Sequence, residues 1–438
     1  MARMNLFPWM KTGTERTHEG APARHISHEL QLRRSVLACM LWEDQFYEDG
    51  VAIAGRIHEL VAKVQAEKVA ALAVEAREKM KLRHAPLLLV REMARLATHR
   101  HLVAETLMRV IQRADELSEF VALYWSDGKQ PLSAQVKKGL AAAFTKFDEY
   151  ALAKYHRAAP VKLRDVLFLC HAHPVDDAQG ELWKRLVEGK LATPDTWEVA
   201  LSSGAEKRQA WERLLAENKL GALALLRNLR NMAEAQVDEQ AVRDGLARMK
   251  TERVLPFRFI AAARYAPKWE TELEHAMFRS LEGAPRLPGK TVLLVDVSGS
   301  MDAQLSRRSE MRRNDAGYGL AVLLREIAEK VSIYSFSDQL VEVPSRRGFA
   351  LRDAINASQR HNGTYLGKAL NGITETYDRL IVITDEQSHD PVPNPRARGY
   401  MINVASYQNG VGYGKWTHID GWSDSVIEYI RSAEAVLE

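Results

Sequence analysis

The chain has 438 residues, 46% of them hydrophobic, and a formal net charge of only +4. That length is too great for one ordinary core, so two domains are the default. Cys39 and Cys170, without metal spacing between them, exclude a disulfide framework and argue against a zinc site; no apolar run approaches membrane-spanning length. Residues 1–20 lack the apolar centre of a secretory signal, so the expected location is cytoplasmic. Charge is uneven: residues 288–438 hold 17 Lys and Arg against 19 Asp and Glu, whereas residues 1–287 hold 44 against 38 and eleven of the fourteen His. The larger segment is the expected seat of a polyanionic partner.

In chain order, residues 1–23 read as a flexible lead-in and residues 24–284 almost entirely as helices. Leu30, Leu32, Val36, Leu37, Met40 and Leu41 follow helical periodicity, another helix starts at Val51, and residues 61–82 read as one long alanine-rich helix with a solvated charged face. Residues 87–96 form the next, and His99, Arg100 and His101 are expected to end it, where its dipole favours cations. Further helices are expected over 103–112, 117–124, 134–155, 163–171, 179–188, 195–202, 207–217 and 220–232, joined by short connections carrying Gly, Pro, Asp, Asn or Ser. Arg227 and Arg230, in an otherwise apolar helix, are expected to pair with buried acids or cap carbonyls. Stacked helix pairs of this kind make an α-solenoid, open or curled into a ring. Two prolines and two glycines between Leu281 and Gly289 mark a linker, placed at 285–289, before a second domain over 290–438.

The second domain opens on TVLLVDVSGSM, Thr291 to Met301. A buried strand that stops at Asp296, Ser298 and Ser300 puts three oxygen donors on one loop at the strand's carboxyl end, where open α/β sheets keep their sites. Carboxylate and hydroxyl donors suit a hard cation, Mg²⁺ above all, with Mn²⁺ or Ca²⁺ also possible. Downstream, Thr364 adds a hydroxyl near a helix start in the turn 362–367, and a second buried run, Leu380 to Thr384, ends in Asp385. D-x-S-x-S with these partners resembles the metal-ion-dependent adhesion site of von Willebrand factor A domains. The expected ligand set is Asp296, Ser298, Ser300, Thr364 and Asp385, within a doubly wound α/β (Rossmann-like) sheet. Helices are expected over 316–330, 351–358, 366–377 and 426–436 and strands over 331–336 and 400–406, with Asp338 capping or turning rather than ligating. Arg307, Arg308, Arg312 and Arg313 read as a basic patch beside the metal loop.

Several helical stretches carry a second resemblance. Residues 134–141, 151–156, 161–167 and His171, with 224–232 and 255–259 further on, are similar to the TROVE module of the Ro 60 kDa autoantigen family, whose members place a ring of HEAT-like helical repeats before one A domain. The resemblance implies a closed ring over 24–284 and an RNA-binding scaffold. It further implies Y-like noncoding RNA on the outside of the ring, the single-stranded 3′ ends of misfolded RNA in its hole, and RNA quality control with an exoribonuclease such as polynucleotide phosphorylase. The chain's size looks more like a bacterial or phage member. Read with that resemblance, Lys137, Lys138, Lys154, His156, Arg157, Lys162, Arg164, His171 and His173 form the expected RNA contact region, cations for phosphates and imidazoles for bases.

The A domain would keep an open coordination position for an acidic side chain of a protein partner. Without a general base beside the metal, a second metal cluster or a phosphate loop, no catalysis is expected, and a monomer is. Two other readings stay open: a protein-only adaptor whose A domain serves an ATPase or chelatase, and a metal-dependent nuclease.

Overall fold

The computed structural model describes residues 16, 20, 22, 27–38, 50–79, 82–155, 160–202, 206–251, 254, 257–283, 286–304, 311–405, 410–420, 426, 430 and 434. Among these, sixteen α-helices precede the sheet. The first ten are α1 (His28–Ala38), α2 (Gly50–Val61), α3 (Ala66–Glu78), α4 (His84–Arg95), α5 (Arg100–Val110), α6 (Ala114–Tyr124), α7 (Ala134–Phe144), α8 (Glu149–Tyr155), α9 (Leu163–Cys170) and α10 (Asp177–Glu188). Then come α11 (Trp197–Ser202), α12 (Lys207–Ala216), α13 (Ala222–Glu234), α14 (Glu239–Arg248), α15 (Phe257–Tyr265) and α16 (Glu270–Arg279). Each packs on its successors: α3 on α4 and α5, α5 on α7, α7 on α9, α12 on α14, α13 on α15. This layered stacking is that of a solenoid. It is tight at α5–α7, where a Cβ on Gly139 would lie 2.9 Å from the Ala104 carbonyl oxygen.

The sheet follows: β1 (Leu287–Asp296), β2 (Ala328–Phe336), β3 (Leu340–Glu342), β4 (Arg379–Thr384), β5 (Arg398–Asn403) and β6 (Thr417–Asp420), in the order β3-β2-β1-β4-β5-β6. Every pairing is parallel except that of β2 with β3. Helices α17 (Arg313–Ile327), α18 (Gly348–Asn356) and α19 (Leu366–Gly372) complete the doubly wound domain. Alternation along β1 sends Val292 and Leu294 into one core with Phe336, Leu366 and Met401, and Leu293 and Val295 into the other. That other core does not stop at the A domain. It runs on through Tyr318 and Leu324 into Trp269 just ahead of α16, and into Phe259, Leu229 and Trp211 of α15, α13 and α12. A separate core from Leu32 to Leu186 fills the first ten helices. The helical path returns on itself through the A domain, because α1 touches β6.

Several helix boundaries differ from expectation, each for a local reason. The run 134–155 is two helices, because Asp148 Oδ1 accepts the Ala151 N–H at 2.8 Å and starts α8 afresh after α7. The run 61–82 breaks at 62–65, where Lys63 and Val64 N–H turn back to the Leu60 and Val61 carbonyls. His99 does not end α4. It is the residue before α5, buried, with Nε2 3.0 Å from the Val64 carbonyl oxygen. In the A domain, residues 328–330 leave the predicted helix to open β2. Of the closing helix over 426–436 only Val426, Ile430 and Glu434 are described, and all three are helical.

Candidate metal centre and nucleic-acid interface

Strand register assembles the centre. Val295 pairs with Ile383, so Asp296 and Thr384 end up side by side at the carboxyl ends of β1 and β4, the point where the strand order reverses direction. Thr384 Oγ1 donates to Asp296 Oδ2 at 2.5 Å, and the Ser298 N–H donates to Asp296 Oδ1 at 2.8 Å. Ser298 and Ser300 hold their Oγ atoms 3.2 Å apart, near enough to face one point. The Thr364 turn is tied to this loop: Gly299 N–H donates to the Asn362 carbonyl at 2.9 Å, and Ser337 Oγ bridges Asn362 N–H and the Gly363 carbonyl. Asp338 Oδ2 accepts from Asn362 Nδ2 at 3.0 Å, so it props the turn.

Asp296, Ser298 and Asp385 are fully buried and Thr364 nearly so. Burial, and then the charge of Asp385, push the Asp296 carboxyl up to about 7. Two buried carboxyls share the single positive charge of Arg313, which lies against Asp385, and a divalent cation among two carboxylates and three hydroxyls would supply more; the donor set fits. No group of three or more His, Cys, Asp or Glu is placed to hold a metal among the described residues, so a cation here would depend on the hydroxyls.

Three participants were not foreseen. Arg313, read as part of a surface patch, is buried with Nη1 3.2 Å from Asp385 Oδ2. An arginine at a helix start within a polar loop gives no sign in sequence of turning inward. Of the rest of that patch, Arg312 is exposed and Arg307 and Arg308 lie outside the described residues. His389 accepts the Thr364 N–H at Nδ1 (3.1 Å) and stacks on half-exposed Tyr365, ring centres 5.0 Å apart. Glu386, next to Asp385, is fully buried and has φ 61°. Burial alone would raise its pKa, but Arg34 and His418 outweigh that and hold it at about 2.

On the helical side, α7 and α9 pack together and bring the Lys137 charge to bear on Cys170 at the end of α9. Cys170 is buried and free, with its thiol pushed up to about 11 chiefly by that burial; Cys39 lies outside the described residues. Arg164, Phe168 and His171 are exposed at a spacing that puts them on one face of α9, and Lys138, Lys162 and His173 are exposed as well. His171 takes the left-handed conformation (φ 52°) that ends the helix. Lys154 lies on α8, which packs on α6 and α10, with its Nζ 5.7 Å from the Tyr150 ring centre. His156 and Arg157 lie outside the described residues. The reading of Arg227 and Arg230 is corrected: both are exposed, Arg230 pairs at the surface with Glu234, and Arg227 on α13 bears on Arg258 of α15, whose pKa falls through desolvation first and Arg227 second.

Sequence reasoning passed over the apolar members of this region. Phe168 is 60% exposed, Tyr150 50% and Val175 73%; with Leu223 and Tyr365 they are the exposed large hydrophobics of the described residues. Phe168 could have been found from its i+4 spacing to Arg164, on the face opposite Val166 and Cys170. Aromatic faces beside cations suit unpaired bases and their phosphates.

A family model for the TROVE domain matches residues 183–364. Telomerase protein component 1 of Mus musculus is 26% identical over 233 residues, 49% of this chain but 8% of the relative, and that of Rattus norvegicus is 25% identical over 232 residues with the same coverage. The chain thus spans less than a tenth of the length of these curated relatives. The crystal structure of the Ro (Rsr) protein of Deinococcus radiodurans superposes with a TM-score of 0.61 at 18% identity, covering 93% of this chain and 99% of that one. The likeness is one of fold: a helical solenoid followed by an α/β von Willebrand factor A domain. The TROVE match straddles the last helices and the first half of the A domain, and the fold is shared with Ro along nearly all its length, so the chain is similar to TROVE proteins over that segment and to Ro in fold.

Proposed function

We propose that this chain is an RNA-binding scaffold of the Ro type, and the observation that carries the reading is the exposed cation–aromatic face of α9 next to α7. Lys137, Lys138, Arg164 and Lys162 offer phosphate contacts, while Phe168 and His171 offer stacking surfaces for bases of a single-stranded 3′ end. A Y-like structured RNA is the second ligand of this reading, and quality control of misfolded RNA its role. In the A domain, Asp296, Ser298, Ser300, Thr364 and Asp385 hold a divalent cation, Mg²⁺ by the hardness of the donors. Once bound, the cation offers a Lewis-acidic position to the carboxylate of a protein partner, for which an exoribonuclease is the proposed type. Thr384 orients Asp296 for that task, and His389 positions the Thr364 turn.

Filter binding of a hairpin RNA with a single-stranded 3′ tail, repeated over a salt series, tests the reading. Affinity should fall steeply with salt, and Arg164→Ala should lower the log–log slope by about 0.7, the value for one single-strand phosphate contact. Phe168→Ala should cost roughly 1–3 kcal/mol at constant slope, because stacking releases no counterions. Asp296→Ala should leave the RNA affinity of the folded protein unchanged. Salt-insensitive or absent binding would move the reading to the protein-only adaptor. Cleavage in Mg²⁺ that is lost in Asp296→Ala would move it to the nuclease.

A further inference from the structure

Helix α1 meets the A domain through a polar seam. Its apolar residues Leu32 and Val36 belong to the core of the first ten helices, and Arg33 pairs with Glu75 of α3 at 2.8 Å. Arg34 belongs to the other side. Its side chain, 1% exposed, reaches across 352 positions of sequence to Glu386, and its Nη1 also lies 3.3 Å from Tyr413 Oη and 3.0 Å from His418 Nε2. Among the described residues, Arg34 is the one partner of Glu386 supplied from outside the A domain; the others are His418 at 2.9 Å and the Gly412 N–H at 2.6 Å.

Glu386 is held in a backbone conformation that side-chain-bearing residues seldom adopt, and in that conformation its N–H donates to Thr384 Oγ1 at 3.1 Å. The same hydroxyl donates to Asp296 Oδ2. Three direct links therefore join α1 to the cation loop: Arg34 to Glu386, Glu386 to Thr384, and Thr384 to Asp296. A hydroxyl that accepts on one side and donates on the other has one hydrogen to place, so the Glu386 N–H fixes which way it points. Loss of Arg34 leaves a buried carboxylate short of a partner and frees the 385–386 backbone to relax.

We propose that α1 is a releasable clasp on the A domain, and that its docking and cation binding at Asp296 favour one another through Thr384. The proposal rests on the cation reading above, and it makes closure of the helical circuit respond to what occupies the A domain. Such coupling is reciprocal: whatever factor the docked helix adds to cation affinity, the cation adds to docking.

The test uses the full chain, with Mn²⁺ as probe. Mn²⁺ affinity is measured by titration calorimetry, and α1 opening by amide exchange of the peptide covering residues 28–38. In the wild type, saturating Mn²⁺ should slow exchange in α1 at least about fivefold, the lower end of common coupling factors. Arg34→Gln should weaken Mn²⁺ binding by the same factor, and Thr384→Val should speed α1 exchange even without metal. Arg34→Lys keeps the charge but not the planar guanidinium, and serves if the Gln variant does not fold; its Mn²⁺ affinity should fall between those of wild type and Arg34→Gln. If wild type binds Mn²⁺ with no change in α1 exchange and Arg34 variants bind it equally well, the coupling is overturned. If wild type takes up no Mn²⁺, the cation reading fails on its own, and Thr384→Val still decides the clasp: faster α1 exchange supports it and unchanged exchange overturns it.

Discussion

Asp296→Asn is expected to act in opposite directions on two measurements, abolishing cation uptake while making the metal-free protein more stable. Changing residues that merely orient metal ligands costs roughly 10–100-fold in affinity, and a direct carboxylate ligand costs more. The stabilising half follows from the environment of the carboxyl. Burial and Asp385 raise its pKa to about 7 in the fold, against roughly 3.9 in an unfolded chain. The unfolded state therefore ionises more readily. The resulting penalty is absent below about pH 4, grows through pH 4–7 and is complete above pH 7, where it amounts to at most about 4 kcal/mol. The amide carries no such penalty. In EDTA, wild type should melt lower at pH 8 than at pH 5, and Asp296→Asn should lose that trend and melt higher than wild type at pH 8. Adding Mn²⁺ at about 100 times its Kd should restore roughly 2.7 kcal/mol to wild type and nothing to the variant. A variant that is less stable than wild type in EDTA at pH 8 would mean that the Asp296 carboxylate stabilises the empty fold.

Arg379→Met should be the most damaging single change in the A domain outside its centre. The Arg379 side chain is 1% exposed at the start of β4, and it grips Glu434 with Nε at 2.8 Å and Nη2 at 2.7 Å. Its Nη1 donates to the Pro288 carbonyl and to Thr291 Oγ1, so one guanidinium on β4 ties β1 to Glu434. Removing one side of a buried pair costs about 3–5 kcal/mol. Tyr400 Oη at 3.1 Å and Arg398 Nη1 at 3.2 Å remain near Glu434 and offset part of that loss. The unfolding midpoint in urea, followed through A-domain tryptophan fluorescence, measures the loss. The double variant Arg379→Met/Glu434→Leu should recover most of it, because no charge is then buried alone.

Legibility in the sequence followed the range of the interactions. TVLLVD and LIVIT read as buried strands because each is a short apolar run that reaches an acid, Asp296 or the following Asp385, and the two strands lie adjacent with Asp296 and Thr384 in contact. The helical part was legible in kind but less so in its breaks: Asp148 acts as a cap through one hydrogen bond that periodicity does not register. Side-chain reach was illegible. Nothing near Arg313 announces Asp385, 72 positions on, and nothing near Arg34 announces Glu386. The exposed Phe168 escaped because an aromatic in an amphipathic helix is ordinarily read as core, although its i+4 spacing to Arg164 places it on the exposed face.

The apolar interior that runs from Trp211 through Phe259 and Trp269 into Leu293 and Ile383 has a consequence for how the protein can be divided. Severing the chain just ahead of β1, where prolines and glycines invite it, would split one oily interior between two fragments and leave each with an unsealed wall. Such fragments should clump when made separately and stay soluble when produced together. The natural seam lies earlier, between α10 and α12, where one interior ends at Leu186 and the next begins at Trp211.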